Sequence, residues 1–299
     1  MLDEGLRSSC FASLDVLCAQ FGEDVPYRGG LDRGFPFRGH RVAFLSPYNG
    51  IHRARYQDGP AALSVNTSTN SPYDDAAVPE GFRYAYRNGS VDQPDNRALR
   101  AAHTLGVPLV YFVATRSGSY KPLYPWYVIA DDPVARNVLV APGRMIGPLD
   151  ERDPMPFEDP LERQYSVREA RVRLHQARFR GRVLDAYSNK CTICRLKEGR
   201  LLDAAHIVGD LERSGEPLIE NGLSLCSIHH RAFDQNLVGI APDYRVHVSK
   251  RLLDDEDGPM LDVLKTAHQQ TIELPSRRAW RPDPERLGLR SERFAAASG

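Results

Sequence analysis

The sequence predicts an α+β protein of two domains, and three observations carry that reading. An amphipathic opening stretch gives way after residue 38 to short apolar runs separated by Gly, Pro, Asn and Asp. Residues 144–160 are rich in Pro, Asp and Glu and hold neither a helical nor a strand period, so a domain boundary is placed there. Beyond it, a long basic helical stretch leads into two tight pairs of Cys and His. A chain of 299 residues with 26% charged residues is long enough to bury two cores.

Residues 5–21 place Leu6, Cys10, Leu14, Leu17 and Cys18 at helical spacing, and Pro26 and Gly29-Gly30 follow as loop punctuation. Strand-like runs come next at 41–45, 62–65, 82–86, 107–114 and 126–129, with one helix at 96–104. Residues 1–150 are therefore expected to form a mostly β domain, joined by a linker at 151–165 to a second domain at 166–299. In that second domain Ser166-Val167-Arg168-Glu169 reads as a capping box opening a helix that reaches Tyr187. Val172, Phe179, Val183, Leu184 and Tyr187 are expected to pack inward, with the arginines facing out. A strand at 246–248 and a helix at 260–270 complete the outline.

The formal net charge is zero, yet between Pro160 and Arg200 eleven Lys and Arg face four acids. Such a run is either a solvated helix face or a surface for phosphates. Three of the five cysteines sit in the ligand pairs, and Cys10 and Cys18 lie in the first helix, so no disulfide framework emerges. The start lacks a basic region followed by an apolar run, and no apolar stretch approaches the length of a bilayer. The expectation is a cytoplasmic protein without a membrane partner.

The ligand pairs are Cys191-Thr192-Ile193-Cys194 and Cys226-Ser227-Ile228-His229, with His230 directly after. Two ligands with two residues between them reach one ion from a tight turn, and two such pairs close a tetrahedron, which predicts a structural Zn²⁺. Cysteines buried by chance would not repeat the spacing. Between the pairs stand His206 and Asn221, which a four-ligand site leaves over.

The wording Ala204-Ala205-His206-Ile207, then Glu220-Asn221-Gly222-Leu223-Ser224-Leu225-Cys226-Ser227-Ile228-His229-His230-Arg231-Ala232-Phe233-Asp234, resembles the HNH endonuclease family, the ββα-metal nucleases. That resemblance implies a β hairpin and a helix around one divalent ion. His206 would be the general base for the attacking water, since a neutral imidazole suits that task near pH 7. Asn221 would hold the hairpin loop and orient the base. Adjacent histidines point in different directions, so His229 would join Cys191, Cys194 and Cys226 on zinc. His230 and Asp234, four apart on one helix face, would hold the catalytic Mg²⁺, Mn²⁺ or Co²⁺. Many members carry an acidic ligand immediately before the base; this chain has Ala205 there, leaving Asp203 or a water to complete the shell.

In the first domain, Gly50-Ile51-His52, Tyr73-Asp74-Asp75, Phe82-Arg83-Tyr84 and Asp95-Asn96-Arg97-Ala98-Leu99 occur in an order similar to the SRA (YDG) family, PUA-like β barrels with flanking helices that flip a modified cytosine out of DNA. Where that family carries Tyr-Asp-Gly, this chain reads Tyr120-Lys-Pro-Leu-Tyr124-Pro-Trp126. The resemblance implies that Tyr73 and Tyr84 sandwich the extruded base while Asp75 accepts from its Watson–Crick edge. Arg173, Arg178 and Arg180 of the basic helix would contact phosphates. Together these imply an SRA–HNH modification-dependent restriction endonuclease, acting as a homodimer on double-stranded DNA that carries 5-methylcytosine or a relative. The competing readings are an HNH nuclease that reads sequence or another modification, and a non-catalytic zinc-knuckle DNA-binding protein.

Overall fold

The apolar run from Leu109 to Ala114 has no polar face, and a strand built from it must be covered on both sides. In the computed structural model, which describes residues 3–68, 77–78, 81–143, 160–209, 212, 215–256 and 258–298, this run is central to the first of two compact units, Met1–Ala177 and Arg178–Gly299. The described strands of the first unit are β1 Val25–Pro26, β2 Phe35–Phe37, β3 His40–Val42, β4 Ile51–His52, β5 Ser64–Asn66, β6 Ala77–Val78, β7 Gly81–Ala85, β8 Leu109–Arg116, β9 Ser119–Asp132 and β10 Asn137–Pro142. Its helices are α1 Glu4–Phe21 and α2 Pro94–Thr104.

The main sheet runs in the order β4-β5-β8-β9-β10-β7-β6, with β1 added to β9, and curls into a half-barrel. Only the β5–β8 pairing is parallel; the other neighbours are antiparallel. Successive side chains of β8 point to opposite faces and into different cores. Leu109, Tyr111 and Val113 join Phe82, Trp126, Val128, Val138 and Val140 beside the α2 residues Ala98, Leu99 and Ala102. Val110 and Phe112 join Leu6, Cys10 and Leu14 of α1 with Phe35, Phe44 and Leu63. Arg7 of α1 is buried among these and donates to the carbonyls of Ala62 and Pro108; burial lowers its pKa to about 10.

Helix α3, Pro160–Ala186, contributes to both units. It starts at Pro160, so Ser166 and Glu169 lie inside the helix and the expected capping box is not its beginning. Proline suits the first helical position because its missing N–H would be unpaired there anyway. Phe179, Val183, Leu184 and Tyr187 enter the core of the second unit as expected, whereas Val172 is 49% exposed. The second unit continues with β11 Leu202–His206, β12 Gly222–Cys226, α4 Ser227–Asp234, β13 Val238–Ile240, β14 Val246–Val248, α5 Lys250–Asp254, α6 Pro259–Lys265 and α7 Pro284–Ser298. The strand at 246–248 falls where expected, and the helix expected at 260–270 ends at Lys265. Strands β11 and β12 form an antiparallel hairpin, as do β13 and β14.

Gly222 opens β12 where α3 crosses it. A Cβ there would lie 2.4 Å from Val183 Cγ2 and 3.0 Å from Phe179 Cζ, so glycine is what lets the helix reach the hairpin. Gly222→Ala is expected to destabilise the second unit by about 1–3 kcal/mol through overpacking, read by thermal melting.

Candidate metal centre and active site

The hairpin register pairs Leu202 with Cys226 and His206 with Gly222. A predicted zinc ligand and the predicted base therefore mark opposite ends of one two-stranded element. Helix α4 starts directly after Cys226, so His229 and His230 follow on its first turns about 100° apart around the axis.

Cys191, Cys194, Cys226 and His229 each offer a ligand atom within 4.8 Å of the others, and among the described residues they are the one such cluster of three or more. Cys194 Sγ lies 3.8 Å from Cys226 Sγ, and His229 Nδ1 lies 3.1 Å from Cys226 Sγ and 3.7 Å from Cys191 Sγ. A Zn–S bond of about 2.3 Å gives tetrahedral edges of roughly 3.8 Å, so the four donors already fit the ion in chemistry and spacing. A hydrogen bond from Cys226 lowers the pKa of the Cys191 thiol, while the same hydrogen bond and burial raise that of Cys226.

The knuckle turn is closed by the Cys191 N–H on the Leu196 carbonyl (2.9 Å) and the Arg195 N–H on the Cys191 carbonyl (2.9 Å). Glu273, a residue the sequence reading did not single out, secures this turn. Its carboxylate pairs with Lys190 (2.9 Å) and Arg195 (3.4 Å), and its main chain exchanges hydrogen bonds with Thr192. The signal available in the sequence was weak, a lone acid far from two cations.

Asn221 is fully buried. Its Oδ1 accepts from the Val208 N–H (3.0 Å), and its Nδ2 donates to the carbonyls of Val208 (3.0 Å) and Glu216 (3.1 Å). The Ile207 N–H donates to the Asn221 carbonyl (2.9 Å), so the two residues after His206 are both tied to Asn221. The imidazole of His206 stacks on Phe179 at 4.0 Å and 15°. Asn221→Ala strands two buried polar groups of Val208 and the part-buried Glu216 carbonyl, and is expected to cost on the order of 3 kcal/mol, measured by thermal denaturation.

Further along, Glu212 accepts from Gly209 N–H (3.1 Å) and from Arg293 of α7. The hydrogen bond from Arg293 leads in holding its carboxyl at about 2 instead of 4.5; partial desolvation opposes this and the Gly209 N–H adds to it. A depressed carboxylate contributes stability that is present above the unfolded pKa, about 4.5, and is lost as pH falls toward 2. The pair is half exposed, so the effect is below about 1 kcal/mol. Glu212→Gln is expected to flatten the stability-versus-pH profile of the second unit between pH 4.5 and 2; an unchanged acid limb would count against the assignment.

His230 stands between two carboxylates. Nδ1 is 3.4 Å from Asp203 Oδ2, and Nε2 is 3.5 Å from Asp234 Oδ2. The hydrogen bond to Asp203 raises its pKa, against burial and with help from Asp234. Burial pushes Asp203 up, but His230, the Ala204 N–H and Arg180 together hold it below the ordinary carboxylate value. Arg180 itself is half buried on this hairpin: it donates to the carbonyls of Gly199 (3.1 Å) and Leu202 (2.7 Å), and its Nε is 3.5 Å from Asp203. It does not face outward as expected of the helix arginines. The structure thus brings His230 and Asp234 together and adds Asp203 from β11, two residues before the alanine that stands in place of an acid.

Residues 191–241 match the sequence model of the HNH endonuclease family. The segment is an HNH endonuclease domain. Members of this family cleave DNA and depend in general on a divalent metal. The matched HNH segment contains the zinc-type cluster, His206, Asn221, His230 and Asp234. None of the curated proteins matches the chain. Among solved structures, a modification-dependent TagI restriction endonuclease is similar at a TM-score of 0.32 and 15% identity, covering 82% of this chain and 85% of that one. A likeness so loose supports no conclusion about this chain.

Of the residues expected to line a base pocket, Tyr73 and Asp75 lie outside the described residues. Tyr84 on β7 is 9% exposed, and its hydroxyl donates to the carbonyls of Gly50 (2.9 Å) and Asn66 (3.0 Å). It lines a cavity of about 310 Å³ together with Tyr48, Asn49, Asn66, Thr67 and Arg87. The side chain of Arg173 is also outside the described residues, and Arg178 is half buried. No described helix is long and apolar enough to cross a membrane.

Proposed function

We propose that the chain is a modification-dependent DNA endonuclease. In this reading an SRA-like, PUA-like domain (1–150) takes 5-methylcytosine or a relative out of the duplex. A linker (151–165) joins it to a nuclease domain (166–299) that hydrolyses phosphodiesters nearby. The observation that supports the nuclease half is the matched HNH segment, whose hairpin and helix carry His206, the Asn221 clamp and the His230–Asp234 pair.

His206 takes the proton from the attacking water, and its ring is oriented by Phe179 and by the main chain that Asn221 fixes. His230 and Asp234 would hold the catalytic ion, with Asp203 steadying the far side of the imidazole. When bound, that ion supplies charge neutralisation at the phosphate and the leaving oxygen. The nitrogen and carboxylate donors suit Mg²⁺, Mn²⁺ or Co²⁺. Cys191, Cys194, Cys226 and His229 would hold a structural Zn²⁺, leaving His230 for catalysis.

The cavity beside Tyr84 supports the reading half, since about 300 Å³ is the lower end of small-ligand pockets and suits a single extruded base. Arg173 and Arg178 remain proposed phosphate contacts, as does Arg180 once its hold on Asp203 is exchanged. Cutting two strands calls for two centres, hence a homodimer, and the setting is the cytoplasm. The test is incubation of cytosine-methylated duplex DNA with the zinc-loaded protein and Mg²⁺, Mn²⁺ or Co²⁺ in turn, with a chelator control. Metal-dependent strand breaks are expected; intact DNA under all three ions with a folded protein sinks the reading.

A further inference from the structure

A second cationic surface is built into the N-terminal unit from residues that the nuclease reading leaves unused. Between Arg28 and Tyr56 the chain carries six arginines and one acid, Asp32, in a protein of zero net charge. The fold gathers several of them around one hairpin. Phe35 and Val42 root β2 and β3 in the core at 0% and 2% exposure. Phe37 pairs with His40, leaving Arg38-Gly39 as a two-residue turn, and both residues have positive φ, 46° and 77°.

Such turns favour Asn or Gly at the first position, because a side chain with a Cβ is strained there. An arginine held in that conformation at an exposed tip is not buried in a core, so the strain points to the side chain's use. The guanidinium of Arg38 lies 5.0 Å from the Phe37 ring centre. Its partner Asp58, at 3.2 Å, is as exposed as Arg38 itself (64% and 65%), a pairing that water and salt screen. His40 stacks flat on Tyr56 at 4.1 Å and 5°, and Arg55 stands over the same ring at 5.8 Å. Arg41 is exposed beside them and reaches the Gly34 carbonyl at 3.3 Å.

We propose that Arg38, His40, Arg41 and Arg55, set around the Phe37 and Tyr56 rings, form a docking surface for the phosphate backbone of duplex DNA. The proposal rests on the reading that the chain acts on DNA. Guanidinium groups bind phosphate oxygens in pairs, and stacking on Phe37 and Tyr56 holds Arg38 and Arg55 ready at reduced entropic cost. The displaced competitor is the single exposed carboxylate of Asp58. Contacts of this kind set the register of the duplex and carry no sequence or modification readout.

The test is binding of fluorescent DNA duplexes, with and without 5-methylcytosine, and of an RNA duplex of the same length, by zinc-loaded wild type and by the triple variant Arg38→Gln, Arg41→Gln, Arg55→Gln across a salt series with no Mg²⁺, Mn²⁺ or Co²⁺ added. Each lost phosphate contact lowers the slope of log affinity against log salt by about 0.9, so the slope is expected to fall by roughly 2 to 3, with affinity about ten-fold weaker or more at low salt. The ratio of modified to unmodified binding and the melting temperature should stay as in wild type. An unchanged slope in a folded variant overturns the proposal while leaving the endonuclease reading intact. A loss confined to an RNA duplex of the same length overturns it in favour of RNA. Wild-type protein that binds no duplex and cuts none overturns both.

Discussion

Cys191→Ser is expected to unfold the second unit, Arg178–Gly299, and to do so more completely than any single core substitution. Cys191 is fully buried, sits against His229 Nδ1, and opens the turn whose main chain reaches Leu196 and Ser224. A structural zinc site contributes about 10–16 kcal/mol of coupled folding energy. A domain's whole stability is about 5–15 kcal/mol, so losing one of four ligands removes most of it. Without an ion, Cys191, Cys226 and His229 would also be left buried without their shared partner. Chelation of the wild-type protein should give the same result. Circular dichroism and thermal melting check it; a melting profile unchanged after verified zinc removal would mean that the cluster is not a folding element.

His206→Ala is expected to lower the rate of DNA cleavage by about 10²–10⁴, the usual contribution of a positioned general base. Affinity for the duplex should stay within a few-fold of wild type, because in the proposed role the imidazole acts on water and not on the phosphate backbone. The residue ends β11 opposite Gly222, stacks on Phe179, and is followed by two residues tied to Asn221. The substitution opens a small gap against Phe179 and leaves that scaffold in place. Single-turnover cleavage at saturating metal separates the two effects; cleavage at the wild-type rate would remove His206 from the base role.

The zinc-type cluster was legible because its ligands are local in sequence: two pairs, each with two residues between its members, need only tight turns to converge. The helix–strand alternation of the first unit was legible for a similar reason, since the unbroken apolar run around Tyr111 admits only a strand covered on both faces. What escaped depends on pairings that spacing does not encode. Asp203, which the sequence offered only as an alternative to a water, meets His230 because β11 passes beside α4, and Arg180 is drawn onto Asp203 and two carbonyls, although a row of arginines on a helix reads as a solvated or phosphate-binding face. Ser166 and Glu169 have the wording of a helix start, but Pro160 is compatible with the first turn and the helix simply begins earlier. Glu273 holds the knuckle from outside the motif altogether.

These contacts give the candidate centre a layered construction. The zinc-type cluster anchors one end of the β11–β12 hairpin, Asn221 locks the other, and His230 is steadied between Asp203 and Asp234. The most direct test of the central claim uses a single plasmid prepared in two forms, unmethylated and methylated at cytosine, and digested side by side with zinc-loaded protein and a divalent ion. The account predicts fragmentation of the methylated form with the unmethylated form largely intact; equal digestion of both would contradict it.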